Sequence, residues 1–303
     1  MDYEDTSAET SPELWLDHRH YRIYEIALGI TRAVAASADL RDLEFLNEAV
    51  VDFLSPWQME TAVHRFARVV ADEIFMKDIA GPYIGTYERD ANGSIVTQRY
   101  LPVDFALRSY GICDDEMFRV PPSDGAWVSE GNINTWKESS KVANACYDYT
   151  VDLQWSDAYD QLLARLADEV FHTIFPNRAL LSRVHEVLAI YVQQQDPESF
   201  ADDPAIARLF KAAGRLERVP PPQWAKHAIF YRDRGRCVIC GKDLTSLIDP
   251  QSDGEYDHVV PLELGGLNDV SNLQLLCRAC NRRKAADLVR PSTRHRRYYG
   301  LNR

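Results

Sequence analysis

Apolar residues recur at helical spacing through the first part of the chain. Leu14, Leu16, Tyr21, Tyr24, Ile26, Leu28 and Ile30 predict a helix from Pro12 to Ala36, after a polar N-terminal dozen expected to fray. Asp39 can cap a second helix, Leu40 to Leu54, with Leu43, Leu46, Val50 and Phe53 on one face. Ser55-Pro56 reads as the start of a third, running to about Lys77 with Val63, Phe66, Val70 and Ile74 as its stripe. The period then changes. Two β-rich runs, Tyr83 to Arg89 and Ser94 to Tyr100, flank Asn92-Gly93, a dipeptide that favours a hairpin turn. Residues 101–155 show no sustained period and read as loops with short elements. Tyr110, Trp127, Trp136, Tyr147, Tyr149 and Trp155 are concentrated there. They fit either a binding surface or the ordinary packing of large side chains, and packing is expected.

Helical spacing returns after Trp155. Ser156 can cap Asp157 to Phe175, which Pro176 ends, and Asn177 can cap Arg178 to Gln195. A shorter helix is expected after Asp203-Pro204, ending near Gly214. Val219-Pro220-Pro221-Pro222-Gln223 reads as a stiff spacer and is taken as the domain boundary. Trp224 to Arg234 would form a lead-in helix to the C-terminal domain.

Charge divides the chain at the same place. Residues 221–303 hold 14 Lys and Arg against 9 Asp and Glu, a balance of +5, whereas the whole chain carries −12. Residues 1–220 therefore carry −17 and would repel bulk nucleic acid, while the basic remainder suits phosphate. No run of 18 apolar residues predicts a membrane span. The acidic, polar N-terminus does not read as a secretion signal, so reduced cysteines and a cytoplasmic setting are expected. Cys113 and Cys146 read as small buried hydrophobes.

The chemistry is concentrated between Arg236 and Lys284. Two Cys-x-x-Cys pairs, Cys237/Cys240 and Cys277/Cys280, bracket a 36-residue insert. Four thiolates complete a closed tetrahedral zinc site, which is structural because no coordination position stays open. Within the insert stand Asp257-His258, Gly265-Gly266 and Asn272, and Asn281 follows the last cysteine.

The order CxxC, DHVVPLELGG, SNLQLLC and CxxCNxxK resembles the HNH (His-Asn-His) endonucleases of the zinc-containing ββα-metal branch. The resemblance covers residues 224–286. Asn281 stands where the family name has its final histidine, and an amide oxygen also ligates hard cations. Residues 1–220 carry no motif that points to a family. The resemblance implies that His258 is the general base and that Asp257 and Asn281 hold a catalytic Mg2+ or Mn2+. It also implies that Asn272 fastens the loop carrying the base. Adjacent strand residues face opposite ways, and a bend or bulge could let the Asp257 carboxylate reach the metal while the His258 imidazole faces the water. Asn281 could alternatively be only a helix cap, and Asp257 a solvated turn carboxylate. Arg282, Arg283 and Lys284 are expected to touch phosphates. The tail Arg290 to Arg303, with Arg294, His295, Arg296, Arg297, Tyr298 and Tyr299, reads either as a nucleic-acid contact or as a solvated basic tail.

The fold expected is α+β. A mainly helical, acidic N-terminal domain with a small hairpin (1–220) precedes a ββα-metal nuclease domain with a four-cysteine zinc site and a basic tail (221–303). The function expected is a divalent-metal-dependent DNA endonuclease, with RNA not excluded, in restriction or phage defence. Residues 1–220 would regulate it, oligomerise or dock a partner. The alternatives are a zinc nucleic-acid-binding module that does not cut, or a sensor with the nuclease as effector.

Overall fold

The computed structural model describes residues 12–36, 51–89, 91–112, 117–122, 124–130, 133–246 and 254–289. The expected second helix lies mostly outside them, as do Cys113 and the basic tail; residues 51–54 are helical. Among the described residues, helices alternate with four two-stranded antiparallel sheets. Among the described residues, no helix is long and apolar enough to cross a membrane. Two compact units divide the chain. One comprises Met1–Leu28 and Ala67–Val170, the other Gly29–Phe66 and Phe171–Arg303. The Val219–Gln223 spacer lies inside the second.

The first unit takes most of α1 (Pro12–Ala36) and of α2 (Ala62–Asp78). The expected hairpin is β1 (Ile84–Arg89) against β2 (Ile95–Tyr100), in register from Ile84↔Tyr100 to Arg89↔Ile95. Residues 101–155 are more regular than their sequence suggests. They hold α3 (Pro102–Ser109), the hairpin of β3 (Gly125–Glu130) and β4 (Ile133–Glu138), and α4 (Ser140–Gln154). The α4 helix buries only Val142, Cys146 and Thr150, one residue per turn, so its stripe is too narrow to stand out. Ser139 caps it by accepting from Val142 N. Cys146 is fully buried, as a small hydrophobe should be. Trp127 and Trp155, expected to pack, are instead 69% and 87% exposed. Ser156 caps α5 (Asp157–Ile174) through Tyr159 N at 3.1 Å. Asp72 Oδ1 accepts from Gln154 Nε2 and Tyr159 Oη, each at 2.7 Å, tying α2 to the α4–α5 corner.

In the second unit α2 starts at Ala62, six residues after the expected Pro56. Trp57 interrupts the helix with a left-handed φ of 56°, a conformation that costs a bulky side chain free energy. The helix start is anchored elsewhere: Ala62 N donates to Asp269 Oδ2 at 2.8 Å. Asn177 caps α6 (Arg178–Gln193) through Leu180 N at 3.2 Å. The helix expected to reach Gly214 is only α7 (Pro204–Ala207); β5 (Phe210–Ala212) and β6 (Arg215–Leu216) come after it, with Gly214 in their turn. Then come α8 (Gln223–Arg232), β7 (Gly254–His258), β8 (Leu273–Cys277) and α9 (Arg278–Lys284). Their core contains Ile229, Val238, Leu244, Val270, Leu273, Leu275 and Leu276, and Trp57, Phe171 and Phe175 pack against it. The C-terminal strand–strand–helix motif thus shares one core with residues from early in the chain.

Candidate active site

β7 and β8 pair without a register shift from Gly254↔Cys277 to His258↔Leu273. There is no bulge at Asp257-His258, contrary to the bend considered from sequence. The two side chains therefore take opposite faces of the ladder.

On one face, α9 lies along β7. Asp257 Oδ2 receives Lys284 Nζ at 2.9 Å and Gln274 Nε2 at 3.2 Å. Lys284 Nζ also donates to His258 O at 3.0 Å. Glu255, two residues before Asp257, accepts from Asn281 Nδ2 at 2.7 Å and from Arg278 Nε at 3.2 Å. Of the three cations read as phosphate contacts, Arg282 and Arg283 are exposed, whereas Lys284 is buried. Its charge acts inside the site, where it neutralises the buried Asp257 and removes the cost of an unpaired carboxylate.

On the other face, His258 is 2% exposed. The Trp57 ring lies 6.2 Å from its ring, centroid to centroid. Trp57 is fixed by Trp57 N to Asn268 O at 2.8 Å and by its indole Nε1 to Val219 O at 3.2 Å. Burial, followed by the positive charge of Arg218, pushes the His258 pKa down to about 3, although contact with Asn268 opposes the shift. The imidazole is therefore neutral near pH 7.

Asn272 is fully buried and holds the chain that leaves His258. Its Oδ1 accepts from Val260 N at 2.9 Å, and its Nδ2 donates to Val260 O and Leu267 O at 3.1 and 2.9 Å. Its main-chain carbonyl accepts from Val259 N at 2.6 Å. The intervening turn needs Gly265-Gly266. Gly265 has φ +81°, and a Cβ on Gly266 would lie 2.0 Å from Val260 O. The residues just before Asn272 form a buried hydrogen-bonded chain: Ser271 Oγ donates to Asp269 Oδ1 at 2.5 Å and lies 2.8 Å from His185 Nε2. The hydroxyl's single proton goes to Asp269, so Nε2 of His185 is the donor to Ser271. Burial lowers the His185 pKa to about 4, with nearby Asp269 working the other way.

The four cysteines converge, with their sulfurs all within 4.8 Å of one another. Cys240 Sγ and Cys277 Sγ are 3.8 Å apart, the edge of about 3.8 Å that a tetrahedron with Zn–S near ~2.3 Å requires. Burial and the neighbouring sulfurs push the Cys280 thiol up, so the cluster suits thiolates compensated by a dication. Asp257 and Asn281 offer hard oxygen donors, which fit Mg2+ or Mn2+ rather than a soft metal. The lead-in helix closes the arrangement. Asp233, paired with Arg178 and Arg232, accepts from Leu275 N at 2.9 Å, and Arg232 Nη2 donates to Leu273 O at 2.6 Å.

Sequence reasoning passed over Glu255, Trp57, His185 and the Ser271–Asp269 pair. Glu255 carried one legible signal, its two-residue offset from Asp257, which puts both carboxylates on one strand face. Trp57 carried none, being about 200 residues from His258 in a chain where either could have been simple core.

Comparison with protein families matches residues 237–297 to a family described as HNH endonuclease. Comparison with curated proteins and with solved structures finds no match. The match covers the four cysteines, Asp257, His258, Asn272 and Asn281, and supports a nuclease-type function for this part of the chain.

Proposed function

We propose that the chain is a divalent-metal-dependent endonuclease that hydrolyses DNA phosphodiesters. One observation carries the reading: a single strand–strand–helix unit holds Asp257, His258, Asn272 and Asn281 beside a four-cysteine cluster. A cation held by Asp257 and Asn281 would supply positive charge for the phosphorane and the departing 3′ oxygen. Zinc in the cysteine cluster would be structural. His258, which ends β7 on the opposite face from Asp257, accepts the proton of the attacking water through its neutral imidazole once that ring turns from Trp57 toward the cation. Asn272 holds the base by fixing the Val259–Leu267 turn, and acts only through it. Arg282 and Arg283, exposed at the end of α9, contact phosphates.

Burial adds a second element to the proposal, which is control. With 2% of its surface exposed and the Trp57 ring beside it, His258 is out of reach of water. The Ser55–Thr61 segment carrying Trp57 must move before His258 acts, and an arriving phosphate anion then raises its basicity. This gives the acidic residues 1–220 a regulatory role, to which self-association or partner docking is coupled. We assign restriction or phage defence as the setting on the family resemblance. The metal assignment is tested by plasmid cleavage over a Mg2+ titration with Asp257→Ala and Asn281→Ala. Both variants should keep zinc and lose turnover or require far more Mg2+. Wild-type curves in both would remove the assignment.

A further inference from the structure

The contact between Glu255 and Asn281 decides which way an amide faces. A carboxylate only accepts hydrogen bonds, so the Asn281 atom 2.7 Å from Glu255 Oε2 is Nδ2. Oδ1 is thereby turned away from Glu255. Glu255 is itself held, because Arg278 Nε donates to its other oxygen at 3.2 Å. Glu255 and Asp257 share a strand face, and Asn281 and Lys284, three apart, share a helix face. The two faces meet in two matched pairs, Glu255 with Asn281 and Asp257 with Lys284. An unrestrained amide could present its NH2 to a cation as readily as its oxygen, and an NH2 group cannot ligate.

We propose that Glu255 is a positioning residue that locks the Asn281 amide with Oδ1 available to the divalent cation. The proposal rests on the assignment of Asp257 and Asn281 as ligands. Glu255 acts through Asn281, by hydrogen bonding, and is not itself a ligand. Its side chain is 31% exposed, so replacing it leaves the buried core intact.

The test is Mn2+ binding to the zinc-loaded full chain, read by electron paramagnetic resonance, with zinc content and circular dichroism as folding controls. Glu255→Ala should weaken Mn2+ binding by roughly tenfold or more, the usual range for partners that orient a ligand. Glu255→Leu repeats the test should Glu255→Ala fail to fold. Glu255→Gln, which keeps an acceptor, should restore binding to near wild type. In an Asn281→Asp background, Glu255→Ala should cause no weakening, because a carboxylate presents oxygen whichever way it turns. Equal weakening in both backgrounds, or failure of Glu255→Gln to rescue, would show that Glu255 acts on the cation directly and would overturn the proposal. Unchanged binding in Glu255→Ala would overturn it too. Asp257→Ala and Asn281→Ala separate the levels. If both abolish binding while Glu255→Ala does not, only the positioning role falls; if neither changes binding, the ligand assignment falls and takes the positioning role with it.

Discussion

The two faces of β7 are built differently. The Asp257 face is assembled from near neighbours in sequence: Glu255, Gln274, Arg278, Asn281 and Lys284 all lie within thirty residues. It is partly open, and its charges are paired. The His258 face is lined by residues from elsewhere in the chain, with Trp57 beside the ring and His185 bonded to the Ser271–Asp269 pair that precedes Asn272. The proposed metal half of the site would thus be a local product of the motif, whereas access to the proposed base would be decided by segments far away in sequence. On that proposal, chemistry and control would depend on different parts of the sequence.

That contrast can be broken most severely at the cysteine cluster, which supports both faces through β8 and α9. Cys277→Ser should release zinc and leave the unit unfolded, since structural zinc sites carry about 10–16 kcal/mol of folding free energy in small domains. Metal analysis and near-ultraviolet circular dichroism check it. Truncation to residues 221–303 should come next in effect. It removes Trp57, Phe171 and Phe175 from the shared core and strips Asp269 and Ser271 of His185 and Ala62 N, so the fragment should be soluble poorly or not at all.

Trp57→Ala separates the faces more gently. Losing a half-buried Trp should cost about 2 kcal/mol of stability, below the range for fully buried ones. Diethyl pyrocarbonate should then modify His258 faster, while Mn2+ affinity at the Asp257 face stays at the wild-type value. An equal change in both would mean that the faces are not independent. The smallest effect concerns pH. His185 has a folded pKa of about 4, below the ordinary histidine value of 6.5. The unfolded chain therefore takes up this proton first, and the associated stability is present above pH 6.5 and lost as pH falls toward 4. Thermal melts between pH 7 and pH 4.5 should fall less steeply for His185→Gln than for the wild type.

Legibility in the sequence divides along the same line. Ser156 and Asn177 lie at helix starts with good caps, and the structure places caps there. Asn92-Gly93 joins β1 and β2. The cysteine pairs converge because Cys-x-x-Cys turns fix two sulfurs each and β8 runs directly into α9. Local signals were silent where tertiary packing decides. The α4 helix hides a one-residue stripe, and Trp57 turns left-handed because Asn268 O and Val219 O hold it, not because of its neighbours. Lys284 reads as one of three surface cations in Arg282-Arg283-Lys284, yet the turn of α9 carries it under β7 to Asp257. Only a long-range contact separates it from the two arginines beside it.

The most direct measurement of the central claim is a plasmid assay with Mg2+ on the full chain and on His258→Ala. General-base catalysis contributes about 10²–10⁴-fold, so the variant should nick DNA at least a hundredfold more slowly. It should still retain its zinc, because His258 stands outside the four-cysteine cluster. Cleavage by a folded, zinc-loaded His258→Ala protein at the wild-type rate would contradict the account.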